Sequence, residues 1–140
     1  MLVSTKGRYA LRVMLELAQR PAGSYTPLPV IAEKQSVSEK YLESIVVLLS
    51  RAGLVDGVRG KGGGYRLTRT PAQYSVGEIL RLTEGSLAPV TCLEGEENTC
   101  PRASHCHTLP MWEKLDSLIN GYLDSVSLAD LLRQTDGSGL

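Results

Sequence analysis

Three cysteines, Cys92, Cys100 and Cys106, lie within one short stretch of a 140-residue chain that has no others. Thiolates are soft ligands that suit iron and zinc, and cysteines in a loop can converge on one metal site. His105 and His107 flank Cys106 and are candidates for a fourth ligand. The set fits a metal site, such as a zinc site of three Cys and one His, or a thiol sensor that forms a disulfide. The bland alternative is three free thiols without a role.

Catalytic chemistry has little support elsewhere in the chain. No Ser/His/Asp arrangement and no pair of carboxylates at catalytic spacing stands out, so we expect a binding protein and not an enzyme. The glycine-rich run 60–64 contains Lys61, but it lacks the spacing of a phosphate-binding P-loop and no helix follows it directly. The cysteine stretch is also looser than the Cys-x-x-Cys pairs usual in structural zinc sites.

The first half of the chain has the pattern of a helix-turn-helix. Apolar residues at helical spacing predict a first helix over 4–19, and a second, short helix runs from Pro29 to Gln35. After a three-residue turn, Ser38 has the position of an N-cap, and a third helix extends to Arg51. This third helix is the candidate recognition helix.

A basic β-hairpin is predicted directly after that helix. Residues 54–59 alternate apolar and polar side chains, the glycine-rich run 60–64 suits a turn, and residues 65–68 form the returning strand. Arg59 and Lys61 flank the tip, where they can enter a minor groove or contact phosphate. A helix-turn-helix followed by such a hairpin is typical of a winged-helix DNA-binding domain.

The candidate DNA contacts combine phosphate-binding and base-reading side chains. Lys40 and the hydroxyl groups suit phosphates, whereas Glu43 can accept a hydrogen bond from the amino group of cytosine. Glu39 is expected only to complement the helix dipole. The predicted contact set is Ser38, Lys40, Tyr41, Glu43, Ser44, Arg59 and Lys61.

A long helix near the C-terminus is the candidate dimerisation element. Apolar residues recur there at steps of three and four, in a stripe made of Trp112, Leu115, Ile119, Tyr122 and Val126. We therefore expect a mainly α protein with a small β-hairpin wing. Its predicted parts are a winged helix-turn-helix (1–85), a cysteine-containing loop (86–107), the dimerisation helix with a short terminal helix (108–134) and a disordered tail (135–140).

The charge distribution supports a nucleic-acid partner for the first part. Residues 1–83 hold twelve Lys and Arg against six Asp and Glu, a balance of +6, whereas residues 84–140 hold three against nine, a balance of −6. A basic domain binds the phosphate backbone by releasing condensed counterions. No apolar run has the length of a membrane span and no secretory signal is visible, so a cytoplasmic location is expected.

Several motifs together resemble the Rrf2-type bacterial transcription regulators, which have IscR-, NsrR- and CymR-like members. They are the Ser4–Ala10 segment, the helix from Ser38 to Gly53, the glycine-rich Arg59–Leu67 hairpin, and the stretch Leu123–Leu131. The resemblance covers nearly the whole chain. It implies a homodimeric winged-helix DNA binder, most simply a repressor, whose long C-terminal helices cross at the dimer interface.

The same resemblance implies an iron–sulfur cluster on the three loop cysteines, with a 2Fe–2S cluster favoured over a 4Fe–4S cluster. Two positions depart from the cluster-binding members: Leu109 stands where IscR-like proteins have a histidine ligand, and Arg8 stands where NsrR-like proteins have an aspartate. A fourth ligand then comes from His105, His107 or a carboxylate such as Glu94. The alternative is a cluster-free, CymR-like regulator, controlled by thiol oxidation or by a metabolic-enzyme partner.

Overall fold

The computed structural model describes residues 3–134 and contains six α-helices and one two-stranded antiparallel sheet in that range. The elements are α1 (Thr5–Ala18), α2 (Leu28–Gln35), α3 (Glu39–Arg51), β1 (Val55–Val58), β2 (Gly64–Leu67), α4 (Val76–Glu84), α5 (Leu109–Ser125) and α6 (Leu128–Gln134). The predicted mainly α fold with a β-hairpin wing is confirmed. The predicted disordered tail, 135–140, lies outside the described residues.

Serine side chains define where three of the helices begin. Ser4 Oγ accepts a hydrogen bond from Gly7 N at the start of α1, and Ser38 Oγ accepts one from Tyr41 N at the start of α3. Ser75 does the same for Glu78 N at the start of α4. Each cap satisfies a backbone donor that the helix leaves open and contributes about 1 kcal/mol.

An isolated antiparallel β-bridge connects the wing to the helical part of the protein. Val55 pairs with Leu67 in the β1–β2 hairpin, and Thr26 exchanges two 2.9 Å backbone hydrogen bonds with Tyr65 on the other side of β2. The predicted first strand began at Leu54, but Leu54 N bonds to Leu49 O at the end of α3 and is buried in the core. The strand is therefore shorter than predicted.

One hydrophobic core joins α1, α2, α3 and α4, the base of the wing and α6. Tyr74 is fully buried, and its hydroxyl donates to Leu54 O at 2.7 Å while accepting from Thr68 N and Arg69 N. Leu128 of α6 lies in the same core. The fully buried side chains of this core include Val13, Met14, Ile31, Leu42, Ile45, Val46, Leu49 and Ile79.

Helix α5 packs on α4 and divides its apolar residues between two faces. Ile119 and Leu123 pack against a second cluster around Val76 and Leu80, and Arg81 bonds to Asn120 across the same contact. The other face carries four exposed apolar residues. They are Met111, Leu115, Leu118 and Tyr122, at 54, 38, 55 and 67% relative exposure.

The predicted apolar stripe extends past the end of α5. The helix ends at Ser125, so Val126 lies outside it in extended backbone, where its carbonyl accepts from Val76 N at 2.8 Å. Val126 and Ile119 contact the chain's own second cluster. Trp112 is half-buried. Within residues 3–134, no helix is long and apolar enough to cross a membrane.

Helix α6 begins with a capping box. Ser127 Oγ accepts from Asp130 N at 3.0 Å, and Asp130 Oδ2 accepts from Ser127 N at 2.9 Å. These hydrogen bonds hold the pKa of Asp130 below its usual value, and Arg133 adds to the same effect. The capping box sets the direction in which α6 returns to the core.

Candidate DNA-binding face and cysteine segment

Helix α3 separates its polar and apolar side chains onto opposite faces. Leu42, Ile45, Val46 and Leu49 are buried on the inner face. The predicted contact residues Ser38, Lys40, Glu43 and Ser44 are all exposed on the outer side. The structure thus places four of the five predicted α3 contacts where a duplex can reach them.

The fifth predicted contact, Tyr41, also has a packing role. It is half-buried, and its ring meets the Tyr9 ring edge to face with centroids 5.9 Å apart. Edge-to-face aromatic pairs contribute about 0.5–1.5 kcal/mol beyond their buried area. Tyr41 therefore fixes α3 against α1 and has only part of its side chain available to a ligand.

The two serines of the predicted set are partly committed to their own helix. Ser38 Oγ accepts from Tyr41 N at 3.2 Å as the cap, and Ser44 Oγ donates to Tyr41 O at 2.7 Å. Ser38 can still donate its hydroxyl hydrogen, and Ser44 can still accept. Both hydroxyls are therefore suited to one further hydrogen bond each.

Arg12 is a positioning residue that the sequence reasoning missed. Its guanidinium bonds to Gln35 Oε1 at 2.7 Å and to Gln35 O at 3.0 Å, and it lies 4.6 Å from the centre of the Tyr9 ring. Ser36, which follows Gln35, has a φ of 54°, a backbone conformation that is uncommon outside glycine. Arg12 thus anchors α1 to the turn between α2 and α3. Twenty-three residues separate Arg12 from Gln35, so no local pattern indicates the pair.

The wing tip owes its shape to glycines. Gly60 and Gly62 have positive φ values of 95° and 79°, and Gly63 N donates to Gly60 O at 3.0 Å. A Cβ at Gly63 would lie 2.2 Å from Val58 O, so a side chain there is excluded. This tight turn leaves Arg59 and Lys61 exposed at the tip, as predicted.

An ion pair between Arg66 and Asp56 stiffens the base of the wing. Arg66 on β2 donates from Nε and Nη2 to Asp56 Oδ2 on β1, at 3.3 and 3.2 Å. Its guanidinium also lies 4.5 Å from the centre of the Tyr25 ring, and the Tyr25 hydroxyl donates to the same carboxylate oxygen. The wing is therefore held by side chains from both strands and from the loop after α1.

The cysteine segment, residues 90–108, differs in character from the wing and the helices. None of its residues is buried, and its only regular structure is two 3-10 turns, Thr91–Leu93 and Ala103–His105. Its hydrogen bonds join near neighbours, such as Cys100 N to Asn98 Oδ1 at 2.9 Å. The segment has no core of its own.

The three cysteines are half-buried free thiols that are not assembled into a metal site. Among the described residues, no group of three or more Cys, His, Asp or Glu side chains is arranged to hold a metal ion. His105 Nδ1 lies 3.0 Å from Ser104 Oγ, and His107 is exposed. The donor types suit an iron–sulfur cluster, but the present arrangement of the segment does not.

Cys106 is the one cysteine with a distinctive environment. Its Sγ lies 3.3 Å from Thr108 Oγ1, and this hydrogen bond lowers the pKa of the thiol below its usual value. The backbone of Thr108 and the positive charge of Arg102 act in the same direction. A lower pKa increases the thiolate fraction at neutral pH, and the thiolate is the reactive form for both oxidation and metal binding.

Comparison with known proteins identifies relatives along almost the whole chain. Residues 3–134 match the model of the Rrf2 family, described as an iron-dependent transcriptional regulator. The chain is 40% identical over 137 residues to the HTH-type transcriptional regulator CymR of Bacillus subtilis, covering 98% of this chain and 94% of the relative. It is 39% identical over 132 residues to IscR of Aliivibrio salmonicida, covering 94% of this chain and 77% of that protein.

Solved structures of CymR and IscR also resemble this chain along nearly its whole length. The structure of CymR, the global cysteine regulator of B. subtilis, superimposes with a TM-score of 0.79 at 40% identity, covering 97% of this chain and 99% of that one. IscR of T. potens superimposes with a TM-score of 0.77 at 38% identity, covering 100% of this chain and 92% of the other.

Proposed function

Because this chain belongs to the Rrf2 family of transcriptional regulators, we propose that it represses transcription by binding an operator as a homodimer. Its DNA affinity is set by the state of Cys92, Cys100 and Cys106. The observation that carries this proposal is the exposed polar face of α3, followed directly in the chain by a glycine-shaped wing with two exposed basic residues. An enzymatic role has no support, since the chain's relatives are transcriptional regulators.

The duplex is bound through two kinds of contact, one to its backbone or minor groove and one to a base edge in the major groove. Arg59 and Lys61 at the wing tip and Lys40 on α3 contact phosphate or the minor groove, which provides affinity without much sequence information. Glu43 lies one turn along the exposed side of α3 and accepts a hydrogen bond from cytosine in the major groove. Such a base contact is worth about 1–3 kcal/mol of discrimination.

A second copy of this chain covers the exposed face of α5. Met111, Leu115, Leu118 and Tyr122 follow one another at steps of four, three and four residues, which is the spacing of a coiled-coil seam. Pairing two copies along this seam removes the apolar stripe from water. A two-fold dimer presents two α3 helices to two half-sites of an operator.

The leading form of control is an iron–sulfur cluster on the three cysteines. Cluster binding requires segment 90–108 to rearrange until the thiols converge, and its exposed, locally bonded structure offers little resistance. His105, His107 or Glu94 completes the ligand set. When bound, the cluster supplies a group that responds to oxidation or loss of iron. The segment leads directly into α5, so its rearrangement alters the spacing of the two α3 helices.

Cluster-free control is the second candidate, and one observation favours it. The hydrogen bond from Thr108 gives Cys106 the character of a reactive thiol in the metal-free arrangement. In this candidate, oxidation of thiols or binding of a metabolic enzyme changes the DNA affinity of this chain. The likeness to CymR, a global cysteine regulator, supports it.

The DNA-binding proposal is tested by titrating operator and random duplexes over a range of salt concentrations. Lys61→Ala should weaken binding to both duplexes and reduce the slope of log K against log salt by about 1. Lys114→Ala on α5 removes the same charge away from the proposed DNA face and serves as the control. Glu43→Ala should mainly reduce the difference between operator and random DNA. If neither duplex binds even at low salt, the proposal is wrong.

The cluster is tested by visible absorption of anaerobically purified protein, with iron and acid-labile sulfide assayed on the same sample. Colour with matched iron and sulfide, lost in each of Cys92→Ala, Cys100→Ala and Cys106→Ala, supports the cluster. A protein that stays colourless after anaerobic reconstitution would instead support control through thiols or a partner. In that case, loss of regulation in the same three variants separates the thiol mechanism from the partner mechanism.

A further inference from the structure

A cavity of about 380 Å³ lies between the end of α1, the loop that follows it, the end of β2 and the 3-10 turn Pro71–Gln73. This volume is within the range of small-molecule sites. The apolar part of its lining comes from Leu17, Ala18, Pro21, Ala22, Leu67 and Pro71. The cavity lies outside the DNA-contact set and the cysteine segment.

Three arginines also line this cavity: Arg20, Arg66 and Arg69. Two of their guanidinium groups are oriented by aromatic rings, Arg66 at 4.5 Å from the centre of Tyr25 and Arg69 at 4.9 Å from the centre of Tyr74. Stacking of this kind fixes the plane of the guanidinium before a ligand arrives. The arginines are thus preorganised for a planar acceptor.

Each of the three arginines is already paired with one carboxylate of the protein. Glu16 lies 3.2 Å from Arg20, Asp56 lies 3.2 Å from Arg66, and Glu78 lies 3.0 Å from Arg69. The formal charge of the six groups is therefore zero. A ligand with several negative charges, such as a nucleotide, would face three resident carboxylates and is disfavoured.

Hydrogen-bonding capacity remains despite these pairs. Arg20 Nη2 is buried and makes no hydrogen bond within the described structure, although it lies 3.2 Å from Glu16 Oε2. Arg66 Nη1 has only a long contact of 3.4 Å with Gly23 O. Each guanidinium carries five N–H donors, so one carboxylate does not exhaust it.

We propose that this cavity binds a small organic molecule with one carboxylate and an apolar body. The carboxylate contacts the donors that the arginine pairs leave available, and the body lies on the aliphatic lining. Arg66 and Leu67 belong to β2, so occupancy bears directly on the base of the wing. That regulatory consequence rests on the proposed DNA-binding function, whereas ligand binding itself does not.

The direct test is a nuclear magnetic resonance titration of the full chain without DNA, using benzoate as the probe. Benzamide has nearly the same shape without the charge, and sodium chloride matches the ionic strength. Benzoate should shift the resonances of residues 20–24 and 66–70 saturably, with a Kd of about 1 mM as expected for so small a molecule. Benzamide should bind at least tenfold more weakly. Equal binding of the two probes, or no saturable shift at these residues, would overturn the proposal.

Matched variants locate the site. Arg20→Gln should weaken benzoate binding at least tenfold, whereas Arg51→Gln, which removes an exposed guanidinium at the end of α3, should leave it unchanged. Ala22→Phe fills the cavity without altering charge and should abolish binding, which keeps the test valid if Arg20→Gln does not fold. Retained binding in a folded Ala22→Phe variant would contradict the assignment. Because these titrations contain no DNA, their failure leaves the DNA-binding proposal standing.

Discussion

The winged-helix body and the cysteine segment are built in opposite ways. In the body, α3 rests on fully buried side chains such as Ile45, and the hydroxyl of Tyr74 joins the backbone at the end of β2 to Leu54 O, which lies 20 positions from Tyr74 in the chain. In segment 90–108 no residue is buried, and hydrogen bonds join only near neighbours. Long-range packing therefore holds the body in shape, whereas only local contacts hold the segment.

This difference suits a regulator. A DNA-reading surface gains affinity from being preorganised, because ordering it on binding would cost conformational entropy. A sensing segment needs the reverse property, since a signal can shift only an equilibrium whose states lie close in free energy. If stability is divided between the two regions in this way, substitutions in the body should lower it much more than substitutions in the segment.

The largest contrast is expected from truncating an apolar residue in each region. Ile45→Ala leaves a cavity beneath α3 and should lower the free energy of unfolding by about 2–5 kcal/mol. Leu93→Ala, in the first 3-10 turn of the cysteine segment, should change it by no more than about 0.5 kcal/mol. Urea unfolding of both variants measures the difference. Similar losses would show that the segment is part of the cooperative core.

The features that the sequence predicted correctly depend on neighbouring residues. Ser38 as an N-cap and the glycine-shaped wing tip follow from local backbone chemistry, which short patterns report. The missed features join distant residues. Arg12 bonds to Gln35, and Leu128 completes a core that begins in α1. Periodicity gives the spacing of apolar residues but not which partner each face meets.

The same limit explains the mixed result on α5. Steps of three and four residues identified an amphipathic helix, but two apolar faces lie side by side on it. Leu115 and Tyr122 are exposed, whereas Ile119 packs against the chain's own second cluster. For the cysteines, sequence spacing identified the donor types. Whether they converge depends on a segment whose conformation its own contacts do not fix.

A smaller effect is expected from removing a single buried hydroxyl. Tyr74→Phe keeps the packing but leaves Thr68 N, Arg69 N and Leu54 O without this partner, and it should cost about 1–3 kcal/mol of unfolding free energy. Tyr65→Phe removes the same group from a half-buried side chain on β2 and is the matched control, with an expected change below about 0.5 kcal/mol. A Tyr74→Phe variant as stable as its control would mean that water replaces the lost hydrogen bonds.

The capping box of α6 makes the stability of the body depend on pH. The pKa of Asp130 is lowered in the folded protein by Ser127 N, Ser127 Oγ and Arg133, so its charged form stabilises the fold. That stabilisation is present above the ordinary aspartate pKa and is lost as pH falls through the folded value. Asp130→Asn should therefore be less stable than the wild type at neutral pH and approach it in acid.

The control for this experiment lies in the cysteine segment. Glu97→Gln replaces a carboxylate in an exposed part of the segment by its amide and controls for the effect of such a replacement away from the capping box. Thermal unfolding of the three proteins from neutral to acid pH compares them. An Asp130→Asn variant whose deficit persisted in acid would place the loss in packing and not in the charge.

The smallest effect on the free energy of unfolding is expected from replacing the three cysteines. Replacing Cys92, Cys100 and Cys106 together by serine in metal-free protein should change the free energy of unfolding by less than about 0.5 kcal/mol, since none of the three is buried. The same substitutions should abolish any stabilisation that anaerobic iron and sulfide confer on the wild type, because a ligand bound only to the folded state adds its binding free energy to stability. A loss above about 1 kcal/mol without metal would contradict the division between a rigid body and a dependent segment. The thiols would then be structural, and a signal acting on them would have to work against the fold of the reading domain itself.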